Sequence, residues 1–487
     1  MSANKVKNPV TIIYNDNIEF LKKELAVDDS FDLVHLELEY GEREMSLFLV
    51  DGFGKDQAIT QIQRELIRLK ASDLSDKPLD KLMKTYIPYA EIEATDDLDN
   101  VVDQVLAGPA ALVVEGIDQV ILIDTREYPV RGPEEPDTEK VIRGSKDGFV
   151  ETLVMNAALM RRRIRDRTMR VEYVSVGRRS KSDVAISYIA DIADEQYVKQ
   201  IKESLEKIDT DGLSMADKTI EEFIFGHHYN PYPMVRYTER PDVASSHLFE
   251  GHVIIMVDGS PSVMIAPTTF WHHMQHAEEY RQKPIVGTSL RIVRYAAVWA
   301  SLFLLPLWYL LATNDGLAPA ALNFIGEQEE GTVPLFAQFL IAEIGIEMLR
   351  MAAIHTPNAL ATALGLVAAL LIGEVAINVG VFSPEVVLYL AVAAVGTFAT
   401  PSYEMSLANR LIRVAFLMFS ALFGVAGFVV GITVWIIMLV HLRSLGTPYM
   451  WPFLPFNAKA LKDVLFRTAM PLKKQRPSAI HPNDPDR

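Results

Sequence analysis

The chain has 487 residues and no cysteine, and its 63 acidic and 47 basic residues give a formal net charge of −16. The lack of cysteine excludes disulfides, thiolate metal sites and cysteine nucleophiles, and the acidity argues against nucleic acid as a partner. The acidity is concentrated in one part of the chain. Residues 291–487 carry 13 basic and 12 acidic residues, whereas residues 1–290 carry 34 and 51.

Residues 1–130 show the patterns of a soluble subdomain that mixes strands and helices. Residues 32–39 alternate apolar and polar side chains, as a half-buried strand does, and residues 56–70 repeat apolar side chains at helical spacing. Residues 110–114 and 120–123 flank a short polar turn and predict a hairpin. We therefore predict an α+β or α/β fold here, with the order of the strands left open.

Two prolines and a glycine within residues 131–136 interrupt the pattern of strands and helices. They predict a linker over residues 131–146. Residues 147–290 predict a second α/β subdomain. Its patterns indicate a helix over residues 147–160 and a hairpin formed by residues 253–257 and 263–265. No convincing long-period repeat relates the two subdomains.

Four uncharged runs of 20, 23, 18 and 29 residues follow this acidic part. A helix needs about 20 apolar residues to cross a bilayer. We therefore predict an α-helical transmembrane domain over residues 291–445 and a basic tail over residues 446–487. The four predicted spans are residues 295–314, 351–373, 386–403 and 414–442. This assignment places Arg410 and Arg413 on the outer side of the membrane, against the positive-inside tendency.

A segment interrupted by charges, residues 333–349, precedes the second span and predicts a re-entrant or pore helix. Glu343 and Glu347 lie one helical turn apart, and acidic residues at membrane depth tend to face a bundle interior or water. The predicted pore candidates are Glu343, Glu347, Asn358 and Glu374. The alternative is local, because Glu347 and Arg350 are spaced to pair with each other at the headgroup level.

A dense basic run begins in the second subdomain. We predict that Arg161, Arg162, Arg163 and Arg165 contact lipid or another subunit. The alternative is that these arginines neutralise the acidic part of the chain internally.

Nothing in the sequence indicates catalysis. The chain contains no G-x-S-x-G nucleophile elbow and no H-E-x-x-H pair. His272 and His276 have a spacing that suits a metal, but no carboxylate lies at motif spacing. We predict no enzyme, no cofactor and no metal site.

Several motifs occur in order along nearly the whole chain. They are residues 147–151, 238–243, 248–251, 257–261 and 446–449. Together they resemble the signature of the GerA-family A subunits of bacterial spore germination receptors. The motif residues that we interpret as structural are Glu239, Arg240, Pro241, Asp242, Glu250, Gly251, Asp258, Gly259 and Pro261. Residues 131–143, 161–166 and 398–404 are similar to one branch of that family.

The resemblance implies a germination protein of the spore inner membrane with a cytoplasmic head. It also implies a ring-shaped homo-oligomer that conducts monovalent cations, a second membrane protein as partner, and contact with other germination proteins. The first hypothesis is therefore a subunit of an oligomeric cation channel. The alternative is a non-conducting membrane scaffold that clusters germination receptors or components of dipicolinate release.

Overall fold

The computed structural model describes residues 8–54, 56–87, 89, 91–126, 139–226, 228–314, 316–317, 326, 331–355, 365 and 374–487. The chain forms two compact units. We call one the head, which comprises Met1–Gly226, Val235–Thr268 and Pro471–Arg487, and the other the bundle, which comprises His227–Met234 and Thr269–Met470. The chain therefore passes from one unit to the other four times.

The head contains two segments in succession, and each of them combines helices with a β-sheet. The first consists of α1 (Tyr14–Leu25), β1 (Leu33–Tyr40), β2 (Arg43–Val50), α2 (Asp56–Leu66), α3 (Pro78–Lys81), β3 (Ile92–Thr95), α4 (Leu98–Ala107), β4 (Ala110–Val114) and β5 (Val120–Ile123). The second consists of α5 (Leu153–Arg163), β6 (Met169–Val176), β7 (Ser182–Ile189), α6 (Glu195–Glu206), α7 (Ala216–Phe225), β8 (Arg236–Thr238), α8 (Pro241–Leu248), β9 (Val253–Val257) and β10 (Val263–Ala266).

The first sheet has the strand order β1-β2-β4-β5-β3. The predicted hairpin is confirmed, with Leu112 opposite Ile121 and every β4 and β5 residue buried. Alternation along β2 places Phe48 in one apolar cluster and Leu47 in the other, so the sheet has a core on both faces. Helix α4 covers one face and is capped at its N-terminus by Asp97, whose carboxylate accepts a hydrogen bond from the Asp99 amide.

The second sheet repeats this topology with the order β6-β7-β9-β10-β8. All strand pairs in both sheets are antiparallel, so the head is α+β, which decides between the two predicted fold classes. The two subdomains show no convincing repeat in their sequences, yet their sheets have the same strand order. Strand order depends on pairing between residues that are distant in sequence. Two segments can therefore have the same strand order without having similar amino-acid sequences.

One predicted helix begins later than expected. Helix α5 starts at Leu153, six residues after the predicted start at Asp147. The reason is a local hydrogen-bonded turn, because the Asn156 side chain bonds both the amide and the carbonyl of Val150. These bonds hold the backbone before Thr152 out of the helix.

The bundle contains α9 (Ala277–Arg281), α10 (Pro284–Thr313), α11 (Leu335–His355), α12 (Ala376–Asn378), α13 (Pro384–Phe398), α14 (Tyr403–His441), β11 (Arg443–Ser444), β12 (Thr447–Pro448) and α15 (Ala458–Leu465). Helices α10 and α14 are long and apolar enough to cross a membrane, and α13 is a shorter apolar helix. The four predicted full spans are therefore not confirmed. Most of the predicted span 351–373 lies outside the described residues.

Helix α14 is a hairpin, which corrects the predicted single span over residues 414–442. Its backbone leaves helical geometry at Gly424, where φ is 59° and ψ is −141°. The rings of Phe416 and Trp435 lie 6.1 Å apart, whereas a straight helix would separate these residues by about 28 Å. A Cβ atom on Gly427 would lie 2.0 Å from the Phe419 carbonyl oxygen, so the two arms meet where only glycine fits.

Tyr232 joins the two arms of this hairpin. Its hydroxyl donates a hydrogen bond to Asn409 Oδ1 over 3.0 Å and accepts one from Trp435 Nε1 over 2.8 Å. Asn409 belongs to the first arm and Trp435 to the second. Tyr232 therefore stabilises the reversal at Gly424 from a distant part of the sequence.

The end of the chain is not a separate basic tail as predicted. Pro471–Arg487 belongs to the head, where Ile480 is buried. The Asn483 amide donates to the Ile192 carbonyl and its side chain donates to the Ala193 carbonyl. A short segment of local sequence gives no signal for such a distant docking site.

Candidate ion-pair site in the helical bundle

Helix α11 is a continuous helix of 21 residues, longer than the predicted segment 333–349. It brings its acidic residues opposite the basic residues of α14. Glu343 Oε1 lies 2.7 Å from Arg413 Nε, and Arg413 Nη2 donates to Glu343 Oε2 over 3.0 Å. Both side chains are only 4% exposed, so this is a buried bidentate pair.

Glu347 lies one turn further along α11 and forms the second part of the site. Its carboxylate pairs with Arg350 on the same helix and with Arg410 on α14. The Arg350 guanidinium also lies over the ring of Tyr403, 5.4 Å from its centroid. The local Glu347–Arg350 pair that the sequence left as an alternative is therefore present, together with a partner that it missed.

Arg413 connects four helices at one point. Besides Glu343 on α11, its Nη1 donates to the Ser301 carbonyl on α10 over 2.6 Å and contacts Thr397 Oγ1 on α13 over 3.3 Å. A buried charge is costly unless it is paired and hydrogen-bonded, and Arg413 is paired with Glu343 and donates hydrogen bonds through Nη1 and Nη2. The site therefore stabilises the bundle as well as carrying charge.

The predicted pore candidates do not form one group of free carboxylates. Glu343 and Glu347 are paired with arginines, and Asn358 lies outside the described residues. Glu374 is exposed and has no recorded hydrogen bond or ion pair within the described part of the chain. The sequence did contain a signal for the arginines, since Arg410 and Arg413 have the helical spacing that matches Glu343 and Glu347.

Several of the family-motif residues form hydrogen bonds that stabilise the head. Arg240 is fully buried, binds the Asp242 carboxylate through two nitrogens, and donates to the carbonyls of Glu139 and Ser145. Pro241 begins α8, where the missing amide hydrogen costs nothing. These bonds attach the chain before α5 to the second sheet.

A second group of motif residues holds the start of α5. The Glu239 carbonyl accepts from the Phe149 amide, and Asp258 Oδ1 accepts from the Leu153 amide. Gly259 has a φ of 84°, and its amide donates to the Glu151 carbonyl. Pro261 follows in the same β9–β10 turn.

The basic run of the head is divided between buried and exposed positions. Arg161 is fully buried and pairs with Asp32, so its side chain is not available to lipid or to another subunit. Arg163 pairs with Asp147 at 2.6 Å, while Arg162 and Arg165 are exposed. Lipid or subunit contact through the exposed arginines stays a prediction.

Glu250 and Gly251 lie in a buried cluster with two histidines. Ligand atoms of His247, Glu250 and His252 lie within 4.8 Å of one another, a spacing that a metal ion could bridge. However, Lys473 Nζ already lies 2.6 Å from the Glu250 carboxylate, and Arg487 lies 3.4 Å from it. The residues therefore fit a cluster neutralised by the end of the chain better than a metal site.

This cluster predicts a pH-dependent stability. Burial lowers the pKa of His252 from 6.5 to about 4. As the pH falls from about 6.5 to 4, the His252 side chain binds a proton in the unfolded chain but not in the folded chain. The free energy of unfolding should therefore fall by on the order of 3 kcal/mol. Unfolding of the full-length protein measured across this range should show the loss, and His252→Gln should remove it. An equal slope in parent and variant would contradict the assignment.

Glu250 titrates in a different window. Burial alone would raise its pKa, but the charges of Lys473 and Arg487 outweigh that effect and hold the pKa below its ordinary value of 4.5. Its contribution to stability is therefore present above pH 4.5 and is lost only at lower pH.

Comparison with known proteins places the chain in a family. The protein-family model described as Bacillus/Clostridium GerA spore germination protein matches residues 19–479. The chain belongs to the GerA family. The motif resemblance noted in the sequence is thus confirmed, and the protein is a membrane protein of spore germination and sporulation.

Two curated relatives of this GerA-family protein cover nearly its whole length. It is 50% identical to stage V sporulation protein AF of Bacillus subtilis over 96% of this chain and 95% of that protein. It is 32% identical to spore germination protein KA of the same organism over 96% of this chain and 87% of that protein. The branch indicated by residues 131–143, 161–166 and 398–404 is that of stage V sporulation protein AF.

One solved structure also matches this GerA-family protein. It is the N-terminal domain of the A subunit of the Bacillus megaterium spore germinant receptor GerK3, with 26% identity and a TM-score of 0.42. The match covers 54% of this chain and 98% of that domain.

Proposed function

We propose that this GerA-family protein is a subunit of an oligomeric channel that releases monovalent cations during spore germination. The observation that supports this most is the buried Glu343–Arg413 pair inside an apolar bundle. Ionisable residues at membrane depth are costly, and they commonly mark ion pathways or proton relays. Family membership supplies the germination context.

The proposal includes an orientation. Arg291 and Arg294 lie at the start of the uncharged part of α10, and the acidic residues Glu327, Glu329 and Glu330 follow its end. By the positive-inside rule the head lies on the cytoplasmic, core side of the spore inner membrane. The strongly acidic head would then raise the local concentration of cations at the inner mouth, an effect that added salt should weaken.

A specific observation favours a second candidate. The carboxylates of Glu343 and Glu347 are paired with arginines, which leaves fewer free acidic groups for a cation path. A non-conducting scaffold that clusters germination proteins through its head would need the same stable bundle without any path. Partner membrane proteins and other germination proteins enter both proposals.

Ion flux from liposomes that contain the purified full-length protein tests the two candidates. For the channel we expect cation-selective flux, with or without a candidate membrane partner. Glu374→Gln should reduce the flux without changing the stability, because Glu374 is exposed. The matched control is Glu222→Gln, which neutralises an exposed glutamate of the head. Folded, oligomeric protein without flux under every partner condition would favour the scaffold.

A further inference from the structure

Helix α15 is fastened to the start of α10 through backbone atoms. Arg291 Nη1 donates to the carbonyls of Asp463 and Val464 over 2.9 and 3.0 Å, and the Tyr295 hydroxyl donates to the Val464 carbonyl over 3.0 Å. Arg291 is itself buried and paired with Glu279 at 2.7 Å. A cation at the carbonyl end of a helix is favourable, so this attachment is specific to the end of α15.

The attachment fixes α15 at a defined level along α10. The Arg467 amide donates to Thr288 Oγ1 over 3.1 Å, so the anchors on α10 run from Thr288 to Tyr295. The uncharged part of α10 begins at Tyr295, directly after Arg294. Helix α15 therefore lies where the charged end of α10 meets its apolar part, which is the level of the bilayer surface.

Large apolar side chains flank α15 and are exposed. Phe456 is 69% exposed before the helix, Phe466 is 49% exposed after it, and Leu454 is 48% exposed. A water-soluble surface rarely presents aromatic side chains in such a group. Aromatic side chains beside a membrane span favour the boundary between headgroups and acyl chains.

Basic residues lie among these apolar side chains. Lys459 and Lys462 are exposed on α15, and Arg467 follows the helix. Asp463 is the acidic residue of this segment, and its carboxylate accepts a hydrogen bond from Thr468 Oγ1 over 2.7 Å. The segment therefore combines apolar anchors with an excess of positive charge.

We propose that residues 454–467 form an interfacial surface that binds anionic lipid headgroups, with Phe456 and Phe466 inserted below them. Exposed aromatic side chains next to exposed lysines let a surface segment bind an anionic membrane, because the aromatic rings bury apolar area and the lysines attract the headgroups. Each lysine near an anionic surface contributes about 1 kcal/mol. A protein partner is disfavoured because the anchors place the surface at bilayer level. The inference uses the membrane insertion of α10 and does not depend on conduction.

Site-specific labelling tests the depth of this surface. The chain has no cysteine, so a single introduced cysteine takes up an environment-sensitive fluorophore at one known place. Phe456→Cys and Phe466→Cys are compared with Met215→Cys, an exposed position of the head, in full-length protein reconstituted in vesicles. We expect blue-shifted emission and quenching by nitroxides attached to lipid at 456 and 466, and neither at 215.

Lysine variants test the headgroup charge. The labelled protein is placed in mixed vesicles in which the nitroxide is carried by an anionic or by a zwitterionic lipid. Lys459→Gln and Lys462→Gln should each weaken the preference for the anionic lipid about fivefold. The matched control is Lys199→Gln with Lys207→Gln, two exposed lysines of the head.

Three results would overturn the proposal. Water-like emission at both labelled sites would show that the surface does not reach the bilayer. Sheltered emission without lipid quenching would show that protein, such as a second copy of the chain, covers it. An unchanged preference for anionic lipid in the lysine variants would remove the headgroup contact.

Discussion

Glu343→Gln should lower the free energy of unfolding of the full-length protein by about 3–5 kcal/mol. The substitution keeps the shape of the side chain but leaves the Arg413 guanidinium buried opposite a neutral amide. A buried charge without its partner costs far more than the pair itself contributes, because the desolvation of the remaining ion is uncompensated. Chemical or thermal unfolding in detergent micelles measures the loss.

Two variants separate this effect from a general sensitivity of the bundle. Glu343→Gln combined with Arg413→Met removes both charges and should recover much of the stability. Glu374→Gln neutralises an exposed glutamate and should change stability by less than about 0.5 kcal/mol. If the double variant is no more stable than Glu343→Gln alone, the pair is not the cause of the loss.

The same pairing changes how a flux experiment on Glu343 must be designed. A loss of flux in Glu343→Gln alone would mix loss of fold with loss of an acidic group. Exchanging the two charges, with Glu343→Arg and Arg413→Glu together, keeps a pair at this place in the bundle. A change in cation selectivity in that variant would support a role in the ion path, and unchanged flux would indicate a structural role.

Asp32→Asn should destabilise the head by a similar amount, about 3–5 kcal/mol. Arg161 Nε and Nη2 bind the two Asp32 oxygens over 2.9 and 3.1 Å, and both side chains have 0% exposure. Asp32 precedes β1 of the first sheet, and Arg161 lies in the last turn of α5, which precedes β6 of the second sheet. Neighbouring Phe31 donates its amide to the Val171 carbonyl over 3.1 Å, so the pair lies where the two segments of the head meet.

The control for this prediction lies close by. Asp29→Asn disrupts a longer contact, 3.8 Å from Arg170, with an aspartate that is 67% exposed. Surface pairs contribute about 0–1 kcal/mol, so this variant should be nearly neutral. Equal losses in Asp29→Asn and Asp32→Asn, measured by urea unfolding of the full-length protein, would be inconsistent with a special role of burial.

The local patterns of the head were readable because each depends on residues close in sequence. The alternation before residue 40 predicts β1, and the polar turn between residues 114 and 120 predicts the hairpin of β4 and β5. Such patterns report which face of a strand is buried. They do not report which strand lies next to it. The order of the strands in each sheet, and the repetition of that order in the second sheet, could therefore not be predicted.

The candidate site shows the same limit. Charge and hydropathy identified Glu343 and Glu347 as charged residues in an apolar region, where burying a charge costs free energy. That conclusion does not require knowing which residues pair with them. Their partners Arg413 and Arg410 lie more than 60 residues away in sequence, between two of the predicted spans. The two arginines are compatible with an apolar helix only because the glutamates lie opposite.

The sequence by itself determined that an acidic head of mixed helices and strands precedes an apolar helical part and that the chain carries GerA-family motifs, since composition and motifs are properties of the chain alone. The tertiary structure decided the rest. It showed that Gly424 reverses α14, that Pro471–Arg487 belongs to the head, and that the glutamates of α11 are paired. These features are contacts between distant residues, whose free energy depends on the packing that buries them.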